Sequence, residues 1–360
     1  MASRRGSTSA SVSHSHTSIE EPPLVSVVVP AHNAEPFIGE LLSSVLAQTY
    51  RHLEVLVLDD GSTDATSHVV KRYAQDARVR HSRTEANIGV NKATSRLMKQ
   101  VRGDYWAYPG ADDLLNDDFL ACRVALMQKH PSAVMSHGPA HYINSVGREL
   151  EAPYPSLDLP LIMSGEKALR VLLQHNIINT PSVLIKTDAT RNITQHFTTE
   201  WRYAQDWFLW FLLVSTGGGV LYDAAPRHSY RIHGGSLTND PAKSANKQIE
   251  TRLVPLCALS TCASYSPLAL KIWKRWRGAL YDLYLTRLCR MLPMRRGLVE
   301  TLPQAVSAYD GRPVLHPSLQ QELIARSPFL WLSLFSDKLA KRRQAFPVSG
   351  LASVDDPLFR

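Results

Sequence analysis

The chain has 360 residues, 44% hydrophobic and 20% charged, which suits one large or two modest folded domains and excludes a largely disordered chain. A formal net charge of +8 favours polyanionic partners, but no zinc-type Cys/His spacing or aromatic-basic RNA signature accompanies it, so nucleic acid is not expected. The four cysteines form no CxxC pair, the N-terminus lacks an apolar leader core, and the longest apolar stretch, Trp207 to Tyr222, is broken by Gly217-Gly218-Gly219; together these point to a cytoplasmic protein, at most peripheral at the inner face of the membrane.

Residues 1–22 are low-complexity and are expected to be a disordered tail. The apolar run Leu24 to Val29 then stops at Pro30-Ala31-His32-Asn33, and Phe37, Ile38, Leu41, Leu42, Val45 and Leu46 follow at helical spacing. A second run, Leu53 to Leu58, ends at Asp59-Asp60-Gly61-Ser62-Thr63-Asp64. Short β-branched runs cut by turn formers around an amphipathic segment predict strand, helix, strand, and so a parallel sheet with a right-handed crossover. Asp64 is placed to cap a helix reaching about Ala74, and a strand near 78–81 leads to Asn87-Ile88-Gly89. A helix carrying Ala93, Leu97 and Val101 ends at Gly103, and the strand Tyr105 to Tyr108 runs into Pro109-Gly110-Ala111-Asp112-Asp113.

A helix over 117–129 and a strand over 133–136 come next, then a long connection over 138–160. The pattern then gives a helix over 166–175, a strand over 181–185, an apolar helix over 204–212, and strands over 220–222 and 228–232. Beyond about 240 it turns helical, with basic and aromatic residues alternating from Lys271 to Met291. The expected organisation is a tail (1–22), an α/β domain (23–240) with a nucleotide-binding half (about 23–115) and an acceptor half (about 116–240), and a helical C-terminal region (241–360).

In open sheets of this kind ligands sit at the carboxyl ends of the strands, where both polar clusters fall. Adjacent carboxylates such as Asp112-Asp113 need a compensating cation or donor, and a divalent ion bridging carboxylate and diphosphate supplies one. Alone, the pair reads first as a helix cap or a turn, and Asp59–Asp64 alone is compatible with a turn and an N-cap. Asp206 lies in an otherwise apolar helix, where a charge is costly without a partner; it is either a general base or a helix cap or salt-bridge partner.

The ordered series Ser26-Val27-Val28-Val29-Pro30-Ala31-His32-Asn33, Gln48-Thr49-Tyr50, Asp59 to Asp64, Asn87-Ile88-Gly89 and Ala111-Asp112-Asp113 resembles family 2 glycosyltransferases. The resemblance spans roughly residues 24–238. It implies a GT-A fold, a Rossmann-like, mixed but mainly parallel sheet flanked by helices, and transfer of a sugar with inversion from a nucleotide-diphosphate donor. It further implies that Pro30, Ala31, His32, Asn33, Glu35, Asp60, Asn87, Gly89, Asp112 and Arg231 contact the nucleotide sugar. Mn²⁺ or Mg²⁺ would then be held by Asp113 and Asp112, with His233 from the segment Tyr230–Ser236 as a further ligand, and Asp206 would be the base. Where the family commonly has Tyr this chain has His32, and Gly110 and Gln205 stand where it often has acids.

The implied acceptor is a hydroxyl on a glycan, a lipid-linked sugar or a protein, in bacterial-type cell-surface polysaccharide, glycolipid or glycoconjugate synthesis. The basic-aromatic C-terminal region is a candidate for peripheral membrane contact. Arg275-Trp276 lacks the preceding Gln of processive synthases, since Ile272 stands there, and no membrane-spanning segments accompany it. A nucleotidyltransferase would share the sheet and acidic rim but needs a Gly-rich basic loop after the first strand. A non-catalytic nucleotide-sugar binding protein would survive loss of Asp206.

Overall fold

The computed structural model describes residues 21–150, 161–191, 193, 196, 201, 203–235 and 244–275. The first 20 residues of the expected tail, and the C-terminal region from 276, including most of its basic-aromatic stretch, lie outside them.

The N-terminal half alternates strands and helices: β1 (Val25–Ala31), α1 (Ile38–Leu46), β2 (Leu53–Asp59), α2 (Thr66–Tyr73), β3 (Val79–Arg83), α3 (Val90–Met98) and β4 (Tyr105–Ala107). β1 pairs in parallel with β2 on one side and β4 on the other, and β2 pairs in parallel with β3. Val25, Val27 and Val29 face one core layer with Ile38, Leu41, Leu42 and Val45 of α1, while Val28 faces a second layer with Ala93 and Leu97 of α3. This explains the valine-rich run, because a parallel strand covered on both faces has no solvent side; its one polar residue, Ser26, is buried and donates to Glu54 Oε1 at 2.7 Å.

After β4 come β5 (Leu114–Leu115), α4 (Phe119–Lys129), β6 (Ala133–His137), β7 (His141–Ile143), β8 (Ile162–Met163) and α5 (Gly165–Leu172). A single 3-10 turn, Thr180–Ser182, precedes β9 (Leu184–Lys186), α6 (Thr187–Arg191), α7 (Gln205–Ser215), β10 (Gly219–Tyr222), β11 (His228–Arg231) and α8 (Ser244–Ala263). The eight-stranded sheet runs β3-β2-β1-β4-β9-β6-β10-β8. β9 enters antiparallel between β4 and β6, so the sheet is mixed.

A second sheet, β5-β11-β7, stands beside it. β5 and β7 have no counterpart in the sequence pattern. They span two and three residues and bury few side chains, so no alternation marks them. Their consequence is positional: β11 pairs with β5, which begins immediately after Asp113.

All described residues of α7 except Asp206 are buried, as expected of a helix that is apolar all round. It packs between α5 and α8, and Leu253, Val254, Leu256 and Leu259 of α8 share its core layer. Thus α8, past the boundary expected near 240, is packed against the α/β core.

The core also holds unpaired polar groups. Arg123 is fully buried, donating through Nη1 to the His137 carbonyl at 2.8 Å, with Asp223 Oδ2 at 3.7 Å. His137 and His228 are fully buried, and neither ring nitrogen of either has a hydrogen-bond partner. Burial, with Arg123 nearby, pushes both imidazoles down to about 3. Their unfolded value is about 6.5, so both are neutral in the fold at pH 7. Stability from this source is complete above about pH 6.5 and declines as pH falls towards 3, because only the unfolded chain takes up the protons. The expected slope is about 1.4 kcal/mol per pH unit for each histidine. Melting temperature against pH between 7.5 and 5 checks this. His228→Gln should make the decline shallower, and an unchanged slope would show that His228 is not its source.

Candidate active site

The carboxyl ends of β1 and β2 are laced together by side chains of the first two motifs. Asn33, held at φ 49, donates its N–H to Ser62 Oγ (3.0 Å) and accepts the Thr63 N–H on Oδ1 (2.8 Å). Glu35 accepts the Ala65 N–H at 3.0 Å and gives its own N–H to Asp64 at 3.1 Å. Asp59 is buried and bonded to the Ser62 N–H and Arg83, which hold its carboxyl below the usual range despite burial. These contacts build the floor of the site. They leave Asn33 and Glu35 bracing the β2 loop.

Asp60 turns inward. Its carboxylate accepts from Thr84 Oγ1 (2.9 Å) and from the N–H groups of Ile88 (2.9 Å) and Gly89 (2.8 Å). It is only 2% exposed, so in this conformation it secures the Asn87–Gly89 loop rather than facing a ligand. The Gly89 N–H is shared with Asn87 Oδ1, also at 2.8 Å. Gly61 is required beneath this loop: its φ is +63, and a Cβ would lie 2.5 Å from the Ala86 carbonyl carbon.

His32 is exposed at the end of β1, with Nδ1 2.8 Å from the Asp60 carbonyl oxygen. A carbonyl only accepts, so the neutral ring carries its proton on Nδ1 and presents an Nε2 lone pair. Pro30 is half-buried, and the buried Ala31 carbonyl takes the Asp60 N–H at 2.7 Å.

At the end of β4 the two adjacent acids have opposite environments. Asp113 is 2% exposed, and its two oxygens accept the N–H groups of Arg231 (3.0 Å) and Gly110 (3.2 Å). Burial, reinforced by Asp112, pushes its carboxyl well above the ordinary range. Asp112 is half-exposed, and its Oδ2 lies 2.8 Å from His233 Nε2. The Gly235 N–H donates to His233 Nδ1 at 3.2 Å, which places the proton of the neutral ring on Nε2, facing Asp112. Phe37 packs on that ring at 4.7 Å between centroids.

Three expectations change here. Asp113 was expected to ligate metal, but both its oxygens are committed to backbone donors in the interior. His233 was expected as a further ligand, but Asp112 and the Gly235 N–H occupy its two nitrogens. Arg231 was expected at the diphosphate; instead it is 1% exposed and is spent on the Asp112 carbonyl (2.7 Å), Glu40 (2.6 Å) and the Phe37 ring face (5.0 Å). Arg231 therefore braces the acidic turn, a role invisible in sequence because Glu40 lies far away along the chain.

Among the described residues no three His, Cys, Asp or Glu side chains gather as a metal site on their own. The arrangement nevertheless suits a hard cation held largely by phosphate. Asp112 Oδ1 has no described hydrogen-bond partner, and it lies 2.8 Å from where a Cβ on Gly110 would stand. Mg²⁺ and Mn²⁺ accept such sites, taking one or two carboxylates and completing their shells with phosphate oxygens and water.

Asp206 occupies the first turn of α7 and is half-buried. Its Oδ2 accepts from the Thr180 hydroxyl at 2.7 Å and from Asn176 Nδ2 at 3.4 Å, and Oδ1 accepts the Trp207 N–H at 2.7 Å. Burial raises its carboxyl above the ordinary value, and those donors oppose the rise. Its charge also reaches Tyr108, at the end of β4, whose burial pushes the phenol up to about 12. Thr94 Oγ1 donates to the Val90 carbonyl, so Tyr108 donates to Thr94 at 2.7 Å, tying the acidic turn to α3. Asp206 and Asp112 thus flank one short segment, Tyr108 to Asp112. Asn176 was not singled out in sequence, and nothing in its periodicity marks it.

The description "Glycosyl transferase family 2" matches residues 26–183. That stretch is similar to family 2 glycosyltransferases. An uncharacterized glycosyltransferase of Haemophilus influenzae is 26% identical over 287 residues, covering 74% of this chain and 88% of that one. A putative teichuronic acid biosynthesis glycosyltransferase, TuaG of Bacillus subtilis, is 27% identical, covering 62% and 85%. Among solved structures, S. aureus TarS 1–349 in complex with UDP-GlcNAc has a TM-score of 0.60 at 19% identity, covering 90% of this chain and 93% of that one. The mannosyltransferase PcManGT of Pyrobaculum calidifontis, in complex with GDP-Man and Mn²⁺, has a TM-score of 0.50 at 17% identity, covering 85% and 86%. The GT-A fold that the resemblance implies is therefore present. No described helix is long and apolar enough to cross a membrane.

Proposed function

We propose that the protein is a glycosyltransferase that moves a sugar, with inversion, from a nucleotide-diphosphate donor to an acceptor hydroxyl in cell-surface polysaccharide or related glycoconjugate synthesis. The observation carrying this reading is the pairing of a half-exposed carboxylate, Asp112, with a desolvated one, Asp206, at the two ends of the Tyr108–Asp112 side of the site. TuaG's teichuronic acid assignment and the UDP-GlcNAc and GDP-Man bound by the structural neighbours support the polysaccharide context and the donor class. The Mn²⁺ of the second neighbour supports use of a divalent cation.

His32 offers Nε2 to a base N–H, and Asp60 acts behind it by fixing the loop. The Asn87–Gly89 loop closes the nucleotide side. Asp112 would hold the cation and diphosphate, with His233 orienting the carboxylate through its Nε2–H. When bound, the cation supplies charge stabilisation to the departing diphosphate. Asp206 takes the proton of the attacking hydroxyl at Oδ1 or Oδ2, and Thr180 and Asn176 keep the carboxylate aimed. As the bond from the anomeric carbon to the diphosphate breaks and the bond to the acceptor oxygen forms on the opposite face, the anomeric centre carries oxocarbenium-like charge, as at other glycosidic centres. Residues 23–240 form the catalytic domain in this reading and 241–360 a helical extension. The site of action is the cytoplasm, with acceptors reached at the inner membrane face.

Calorimetric titration with UDP-, GDP- and dTDP-sugars, each with Mn²⁺ and with EDTA, tests the proposal. Metal-dependent binding of one donor class is expected, followed by slow release of its nucleoside diphosphate with water as acceptor. Failure to bind all three classes would overturn it.

A further inference from the structure

The direction of Asp206 depends on how the start of α7 is held. Ala204, at the cap position, has no side chain that can accept a hydrogen bond, and the backbone N–H groups leading into the helix take their acceptor from elsewhere. Glu250 of α8 provides it. Its Oε2 accepts the N–H of Tyr203 at 2.6 Å and of Ala204 at 3.1 Å, two residues ahead of Asp206. Glu250 is 2% exposed and sits one turn before Leu253 and Val254, which pack in the core layer of Trp207 and Trp210. The carboxylate is thus fixed by a packed helix, and it lies at the end of α7 where a negative charge is favourable. Asn91 Nδ2 donates to the Trp201 carbonyl, linking the start of α3 to the stretch that leads into α7.

We infer that Glu250 is a positioning residue for the transfer reaction: by binding the two N–H groups that lead into α7, it sets the direction of Asp206. The inference rests on Asp206 being the base. It also makes α8 part of the active-site architecture, although α8 lies beyond the stretch matched to the family. Without the carboxylate, two N–H groups in a tightly packed segment lose their acceptor, and the first turn of α7 can relieve this only by shifting. A shift of about 1 Å in a reacting group can lower a rate on the order of 10²-fold.

The test is a cycle in the full chain: Glu250→Gln, Glu250→Ala, Asp206→Asn and the double variant Glu250→Ala/Asp206→Asn. Donor affinity is read by calorimetry, and single-turnover release of nucleoside diphosphate is read with water as acceptor. Glu250→Gln, which keeps one accepting oxygen, should lose about 10-fold in rate, and Glu250→Ala about 10²-fold, with donor affinity within about twofold of wild type. Because Glu250 acts through Asp206, adding Glu250→Ala to Asp206→Asn should cost no further rate. An equal loss in both backgrounds, or a weakened donor affinity in step with the rate, would mean that Glu250 only supports the fold. If Glu250→Ala does not fold, an undiminished rate in Glu250→Gln overturns the inference. A fully active Asp206→Asn would instead defeat the base assignment itself.

Discussion

Asp206→Asn should leave donor affinity nearly unchanged while turnover falls by a factor on the order of 10² or more, the usual contribution of a positioned base. Asn preserves the shape, so Thr180 and Asn176 still frame the site, but no lone-pair oxygen of carboxylate basicity remains. The pH dependence carries the same signature. A base works only when ionised, so turnover should drop as pH falls through the Asp206 pKa, which burial places above the ordinary carboxylate range. Thr180→Val removes the hydroxyl that favours the ionised form, so the acidic limb should move to higher pH. Stopped-assay release of nucleoside diphosphate across pH 4–8 would show both effects. Wild-type turnover in Asp206→Asn removes it from the mechanism.

The layered sheet was legible because its signals are local. Val25 to Val29 and Leu53 to Leu58 are covered on both faces, and this is what short, mainly apolar runs without alternation mean; their polar members, Ser26 and Glu54, are bonded to each other. The acidic clusters were legible for a related reason: a break in such a run marks a strand end, and strand ends carry ligands in these sheets. The inward or outward direction of a carboxylate was not legible. Asp112 and Asp113 are neighbours of identical chemistry, and only the pairing of β11 with β5 buries one and exposes the other. Arg231, read from sequence as a phosphate ligand, is committed by Glu40 and the Asp112 carbonyl, partners far away in the chain. Glu250 was missed because a single acid in a helical stretch looks like a solvated charge until the helix packs. Local periodicity specifies the layers, whereas the loops of the site are set by long-range hydrogen bonds.

Those environments make the two acids separable by experiment. Asp112→Ala should abolish the metal-dependent part of donor binding: with EDTA the variant and wild type should bind alike, and with Mn²⁺ only wild type should tighten. Loss of a group that merely orients a ligand already costs about 10–100-fold in metal affinity, so losing Asp112 should cost at least about 100-fold. His233→Ala should fall in the lower band, since it removes the donor that holds Asp112 Oδ2 at 2.8 Å while leaving the carboxylate in place. Asp113→Asn should behave differently. One of its side-chain atoms becomes a donor facing a backbone N–H, either that of Arg231 or that of Gly110, so the acidic turn loses a contact it cannot replace. Its main effect should be a lower melting temperature, with donor affinity still responding to Mn²⁺ in the folded fraction. Calorimetry with and without Mn²⁺, together with a thermal melt of each variant, separates the two roles. If Asp113→Asn instead lost the metal response at unchanged stability while Asp112→Ala retained it, Asp113 would have to rotate out of the interior when donor binds, and it would be the metal ligand after all.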